Sequence, residues 1–403
     1  MRLNEKVKNA IKLGTLCSIA YFAVYIARNI LGAVTPQMVN GGYTEEYIGS
    51  ISSLYLTFYA IGQLINGIIG DKIKAKWMIS IGLIGAAVTN FVFSIVTATP
   101  TVAMIVYGLT GYFLSMIYGP MTKVISENTE PLHATRCTLG LSFASLFGSP
   151  AARLLAALMT WQSVFTVSSS ALALMAILIF LFFTVFERRK IVKYGQFKRK
   201  DKEEGNIRLL FKRDIIKFSL VSILTGVVRT SVVFWLPTYF NKYLGYDPNI
   251  SAAVFTAATL VISLAAFIAV FIYERLGYNM NRSLLVFFIG AAVFFIITYF
   301  VKHPIINIAF IVLSIISANC ASSMLWNIYC PSLYDTGMVS SVTGFLGFLS
   351  YMAAAAANKL FATAATDIGW GNLILVWAGF MGVGVLISLP YKKIISTFSN
   401  GKK

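Results

Sequence analysis

Carboxylates and histidines are scarce in this chain, and neither falls where chemistry could use it. Fifteen Asp and Glu stand against 33 Lys and Arg, with 2 His and 4 Cys in 403 residues. The histidines, His133 and His303, lie in or beside connections, so no metal centre or histidine general base is expected. Cys17, Cys137, Cys320 and Cys330 fall in or at the ends of apolar runs without a paired pattern, which excludes a disulfide scaffold. No nucleophile–base pair and no phosphate-cradling glycine loop is present, so neither an enzyme nor a cofactor is expected. Charge of either sign is sparse. Only 12% of residues are charged while 58% are hydrophobic, and the mean hydropathy of +0.76 rules out the surface of a soluble protein.

What the chain has instead is long apolar runs. Twelve are long enough to cross a hydrocarbon core of about 30 Å at about 1.5 Å per residue. They cover 14–36, 47–69, 77–97, 101–121, 137–159, 163–186, 217–240, 251–273, 282–301, 304–327, 338–362 and 371–391. They are numbered span 1 to span 12 below. The fold class expected is an all-α membrane protein in two pseudo-symmetric six-helix bundles. Residues 1–190 form the first, 216–403 the second, and the polar segment 191–215 the linker between them. The basic start is followed by a full-length apolar run without a small-residue cleavage site, so span 1 reads as retained rather than as a signal peptide.

A net charge of +18 would suggest nucleic acid in a soluble chain, but the cations are one-sided. Arg2, Lys6, Lys8 and Lys12 precede span 1; Lys72, Lys74 and Lys76 follow span 2; Lys123 and Arg136 follow span 4. Arg275 and Arg282 flank the connection after span 8. The segment from Arg188 to Arg213, including Lys212, is dense with cations, and Lys392, Lys393, Lys402 and Lys403 end the chain. The connections on the other side hold only Lys242 and Lys302. The positive-inside rule then places both termini and the middle segment in the cytoplasm, with no nucleic-acid partner expected. Weak attraction to anionic lipid headgroups is compatible with the same charges.

The halves repeat. "RNILGAVTP" at 28–36 matches "RTSVVFWLP" at 229–237, with arginine and proline eight residues apart in the first span of each half. Asp71-Lys72 after span 2 likewise corresponds to Glu274-Arg275 after span 8, a gating or structural pair. Arg28 and Arg229 sit roughly 18–21 Å into their spans by helical rise, too deep to reach a headgroup. All fifteen acidic residues fall in loops, tails or span ends, so no membrane-embedded carboxylate can neutralise them. Two guanidinium groups at mid-depth, one per half, suit a small anion, since their planar forks match phosphate oxygens. Pairing with backbone carbonyls, or a contact between halves, remains the structural alternative.

Tyr21, Tyr25 and Arg28 share a helical face, as do Tyr55, Tyr59, Gln63 and Asn66 on span 2. The second stripe fits sugar or glycerol hydroxyls and equally fits interhelical hydrogen bonds. Tyr118 before Gly119-Pro120, Asn327, Tyr329 and Tyr351 are further candidates. Gly108, Gly111, Gly344 and Gly347 read as close-packing points. Arg153 on span 5 faces a cavity or extends toward the outer headgroups, whereas Lys359 is near enough to the outer edge to snorkel.

"AYFAVYIARN" at 20–29, "GDKIKAKW" at 70–77, "WLPTYF" at 235–240, and "TGFLGFLSYMAAAAANKLF" with "DIGW" within 343–370 carry a resemblance. The chain resembles the major facilitator superfamily and, within it, the organophosphate:phosphate antiporter family of glycerol-3-phosphate and hexose-phosphate transporters. That resemblance implies alternating access, Arg28 and Arg229 clasping a phosphate, and exchange of an organic phosphate for inorganic phosphate. It also implies site tyrosines at the offsets of Tyr21 and Tyr25. Many members carry a lysine where this chain has Gln63, which leaves the substrate open. The absence of an intramembrane carboxylate favours antiport over proton coupling. A proton- or sodium-coupled symporter of an organic carboxylate, and a transporter-like sensor of sugar phosphate, stay open as alternatives. The expected partners are a small anionic substrate and the lipid bilayer. A monomer is expected, in a membrane of the bacterial inner-membrane type.

Overall fold

The computed structural model describes residues 4–97, 99–194, 211 and 213–389. Most of the expected linker 191–215, together with Arg2, Lys212, Lys392, Lys393, Lys402 and Lys403, lies outside the described residues.

The described chain is helical, and 12 helices are long and apolar enough to span a membrane. They run Glu5–Asn40, Glu45–Lys72, Ala75–Val96, Pro100–Asn128, Pro131–Leu158 and Trp161–Arg188 in the first half. The second half has Ile215–Lys242, Ala253–Arg275, Met280–Phe300, Pro304–Ser332, Val339–Ala357 and Gly369–Ser388. The first helix begins nine residues before the expected 14, because "EKVKNAIKL" keeps a helical pattern and is too polar only to be counted as membrane. Local signals fix the ends. Thr44 Oγ1 accepts from the Tyr47 N–H and Asn279 Oδ1 from the Arg282 N–H, while Pro100, Pro131 and Pro304 open spans 4, 5 and 10 where the lost N–H costs nothing. Gly369, at φ 79°, takes the left-handed turn between spans 11 and 12.

The chain divides into two compact units, Met1–Leu209 with Trp326–Phe348, and Leu210–Leu325 with Leu349–Lys403. In the first unit span 1 packs on spans 5 and 6, span 2 on span 4, and span 3 on spans 4 and 6. In the second, span 8 packs on span 10 and span 9 on spans 10 and 12, the same order six spans later. Each helix keeps one side for lipid. On span 3, Ile81, Ile84, Val88, Phe91 and Ile95 are exposed at alternating steps of three and four, while Met78, Gly82, Ala86, Asn90 and Phe93 are buried opposite.

Lipid is as apolar as leucine, so close packing and buried hydrogen bonds hold the bundle. Asn66 Nδ2 donates to Ser115 Oγ at 2.7 Å and to the Tyr112 carbonyl at 3.3 Å, tying span 2 to span 4. Asn90 bonds Ser169 between spans 3 and 6, and in the second unit the Tyr239 hydroxyl donates to Asn307 Oδ1 at 2.6 Å. Asn66 thus takes the interhelical role rather than the hydroxyl-binding one. Glycine sets the approach: a Cβ at Gly111 would lie 2.5 Å from the Tyr55 carbonyl oxygen, which is backbone and cannot yield. Gly111→Val is therefore expected to destabilise by about 1–3 kcal/mol, read as a lowered Tm in detergent. Gly382→Ala, where nothing lies within 4 Å, leaves the Tm unchanged or slightly raised.

Candidate functional site

Arg28 is half-buried in the first unit, and its guanidinium carbon stands 4.7 Å from the centroid of the Tyr59 ring and 5.7 Å from that of Tyr25. Its NH1 group also reaches the Tyr59 hydroxyl at 3.4 Å. Cation–π contact of this kind stabilises a charge without cancelling it. Tyr25 meets Tyr21 edge-on at 5.1 Å, Tyr21 meets Tyr118 at 5.4 Å, and Tyr118 meets Trp326 at 6.2 Å. Tyr21 is buried, so it belongs to this aromatic chain and not to a lipid-facing belt. Gly148 on span 5 makes room for Tyr25, whose Cβ and backbone a side chain there would strike.

Asn327 joins the same unit. Its carbonyl accepts from Thr138 Oγ1 at 3.2 Å, and its side chain lies 3.3 Å from Ser142 Oγ. Gln63 is also buried, but it serves a seam: side chains at Gly344 and Gly347 of span 11 would run into the Gln63 carbonyl and Oε1. Both glycines are close-packing points, as are Gly108 against Phe58 and Gly111 against Tyr55.

In the second unit Arg229 stands 5.6 Å from the centroid of the Tyr351 ring, repeating the arginine–tyrosine arrangement of the first. Ser231 Oγ donates to the Ala354 carbonyl at 2.7 Å, and Gly226 lets Ser350 approach, so spans 7 and 11 are locked on either side of that pair. Arg229 sits in a π-helical turn, Val227–Val232, and Asn327 in another, Leu325–Tyr329. Such turns carry one extra residue per hydrogen-bonded loop and are frequent at functional sites. Tyr329 is buried in the second of them. Arg153 is exposed on span 5, and the side chain of Lys359 lies outside the described residues.

Asp71 at the end of span 2 accepts the backbone N–H groups of Ser340 at 3.0 Å and Ser341 at 2.8 Å, in the first turn of span 11. A carboxylate there satisfies orphan donors and meets the positive end of the helix dipole. Lys123 supports it, donating to the Asp71 carbonyl at 2.6 Å with its ammonium 3.8 Å from the carboxylate. Lys72 points to solvent. Its counterparts differ: Glu274 is half-buried and Arg275 lies over the Phe271 ring at 5.2 Å. Near the same end, Lys76 pairs with Glu187 at 2.6 Å, and the Lys76 N–H reaches the hydroxyl of Tyr194, whose phenol burial pushes above its usual range. Sequence reading had no signal for Lys123, Lys76 or Tyr194 beyond their position among the basic connections.

The family model described as Major Facilitator Superfamily matches residues 17–358. The chain belongs to the major facilitator superfamily. Among its relatives, the "Glycerol-3-phosphate transporter" of Bacillus subtilis is 21% identical over 93% of this chain and 90% of that protein. The "Membrane sensor protein UhpC" of Escherichia coli is 20% identical over the same shares. A crystal structure of the superfamily transporter FucP in the outward conformation aligns with a TM-score of 0.72 at 15% identity, covering 94% of this chain and 98% of that one. The chain is thus a multi-pass membrane transporter of this superfamily, with the all-helical fold its sequence implies.

The Asp71 contact has a measurable strength. Asp71→Ala removes acceptors from two N–H groups, which corresponds to about 1–3 kcal/mol and so to a roughly five- to 150-fold rise in the population with spans 2 and 11 apart. Thiol labelling of a Ser340→Cys reporter is expected to accelerate accordingly, and an unchanged rate would show that the glycine seam alone holds these spans.

Proposed function

We propose that the chain exchanges an organic phosphate, of the sugar-phosphate or glycerol-phosphate type, for inorganic phosphate by alternating access, with Arg28 and Arg229 as the phosphate ligands. One observation carries the reading: the two mid-depth arginines, at equivalent places in the repeat, each stand over a tyrosine ring of another span, Tyr59 and Tyr351. Aromatic support keeps the cations in place without supplying the negative charge that an anion would bring. Tyr25, Tyr21 and Tyr118 then offer hydroxyls and ring faces to the organic part, and Asn327 a polar edge. The similarity to a glycerol-3-phosphate transporter across nearly the whole chain supports the phosphate, and the one-sided cations support cytoplasmic termini in a bacterial inner membrane.

The energetics favour obligatory exchange. A site holding two cations at mid-membrane is costly to reorient empty, and a bound phosphate dianion removes that cost. Asp71 at the first turn of span 11 acts as a latch that opens and closes with each cycle. The equally long similarity to the sensor UhpC favours a second reading, ligand binding with little flux.

The test is exchange by the purified protein in proteoliposomes loaded with labelled inorganic phosphate. Addition of glycerol-3-phosphate or a hexose phosphate outside is expected to release label. Arg28→Ala and Arg229→Ala are each expected to abolish release, since a charge-assisted pair lost from a buried site corresponds to about 2–5 kcal/mol or more. Efflux into substrate-free buffer as fast as exchange would break the obligatory mechanism. Binding without flux would favour the sensor, and release driven by glucuronate alone a carboxylate symporter.

A further inference from the structure

The ring that supports Arg28 is itself held. Tyr59 stacks on Tyr55, one turn earlier on span 2, with ring centroids 6.1 Å apart and planes 18° from parallel. Tyr55 leans in turn on Tyr107 of span 4 at 5.1 Å, and Tyr107 on Phe93 of span 3 at 4.7 Å. Phe165 of span 6 closes the far end, 4.9 Å from Phe93 and 6.2 Å from Tyr107. All five rings belong to the first unit and all are buried. Arg28, with its guanidinium carbon 4.7 Å from the Tyr59 centroid, is the charged end of this stack.

Tyr55 is hemmed in along its own helix and across it. Gly111 of span 4 admits it, since a Cβ there would lie 2.5 Å from the Tyr55 carbonyl oxygen and 3.0 Å from its ring carbon Cδ2. By spacing alone Tyr55 and Tyr59 share one polar stripe suited to substrate hydroxyls. In the structure they part: Tyr59 meets Arg28, while Tyr55 lies a turn away against span 4. A tyrosine ring turns about two side-chain torsions, and a ring stacked on it restricts both. What Tyr55 fixes for Tyr59, Tyr59 fixes for the guanidinium, because a cation–π contact is made at the ring face and follows its tilt.

We propose that Tyr55 is a positioning residue: acting through the Tyr59 ring, it holds the Arg28 guanidinium in the orientation that receives the phosphate. This rests on the phosphate reading above and adds to it a residue that acts through another. A binding group held in place beforehand spares the ligand the cost of ordering it, and apparent affinity falls with the fraction of molecules in which that group is seated. Loss of one aromatic pair corresponds to about a two- to tenfold drop.

Two readouts on the purified protein test it. Binding of labelled inorganic phosphate gives the affinity. Phenylglyoxal modification, resolved by residue in a mass spectrometer, shows how firmly Arg28 is seated, with Arg229 of the other unit as internal reference. Tyr55→Leu is expected to weaken phosphate binding about two- to tenfold and to speed modification of Arg28 relative to Arg229 by a similar factor. Tyr55→Phe keeps the ring and is expected to restore both. Phe183→Leu, at a buried ring of span 6 outside the stack, is expected to lower the Tm while moving neither readout. Unchanged affinity or unchanged Arg28 modification in Tyr55→Leu, no recovery in Tyr55→Phe, or an equal shift in Phe183→Leu overturns the proposal and returns Tyr55 to core packing. Failure of the phosphate reading looks different: the wild-type protein holds no labelled phosphate, yet Arg28 modification still responds to the residue at 55.

Discussion

Guanidinium at mid-membrane is the constraint around which this molecule is arranged. Bare, such a group is among the most costly side chains to place in hydrocarbon, and the usual remedy is a carboxylate on a neighbouring helix. Among the described residues no carboxylate stands mid-helix, because the acidic ones sit in connections or at helix ends. Aromatic faces take part of the role: Tyr25 and Tyr59 beside Arg28, Tyr351 beside Arg229. A ring quadrupole is weaker than a carboxylate and leaves the ion a cation. On the proposed phosphate reading that weakness matters for transport, since an arginine held by a carboxylate would have to break its ion pair each time a substrate arrived.

The packing that holds the arginines uses small residues where the helices must approach. Gly148 admits Tyr25 against span 5, and Gly226 admits Ser350 against span 7, so each arginine's own helix is pinned within a turn of the charge. Gly344 and Gly347 do the same at Gln63. There the seam is joined by a polar contact, Asp71 on the N–H groups of Ser340 and Ser341. Backbone against backbone at glycine has no flexible side chain to absorb a shift. Spans 2 and 11 are therefore closely seated, with the carboxylate capped onto the first turn of the second helix.

Much of this is legible in the letters, for physical reasons. Twelve spans follow from length and apolar content, because an uninterrupted helix is the only open-ended structure that satisfies its backbone in lipid. Arg28 and Arg229 stand out because arginine is so rare inside spans that its recurrence before proline at 36 and 237 marks the repeat. Other features could not be read. The π turns at Val227–Val232 and Leu325–Tyr329 change which way Arg229 and Asn327 point, and nothing in "VVRTSV" or "LWNIY" distinguishes an i→i+5 from an i→i+4 loop. Tyr21 shares a face with Tyr25 and Arg28 in the letters, but its burial against the Tyr118 ring is set by a helix crossing that spacing does not give. Asn66 and Gln63 share a stripe with Tyr59, yet span 4 takes the first and span 11 the second, because a stripe at three- and four-residue spacing is wider than any one neighbour.

Arg153 illustrates where the sequence stops and packing begins. Counted along its own span it is an arginine of uncertain reach, because the end of a membrane helix is poorly fixed by composition. Counted against span 1 its depth is set by three side-chain contacts, at Gly14, Gly140 and Gly148, each too close to tolerate a different register. Gly140 and Gly148 face span 1, so Arg153, in line with Ser142, Ser145 and Ser149, lies on the opposite side of span 5, a placement that the letters alone do not give.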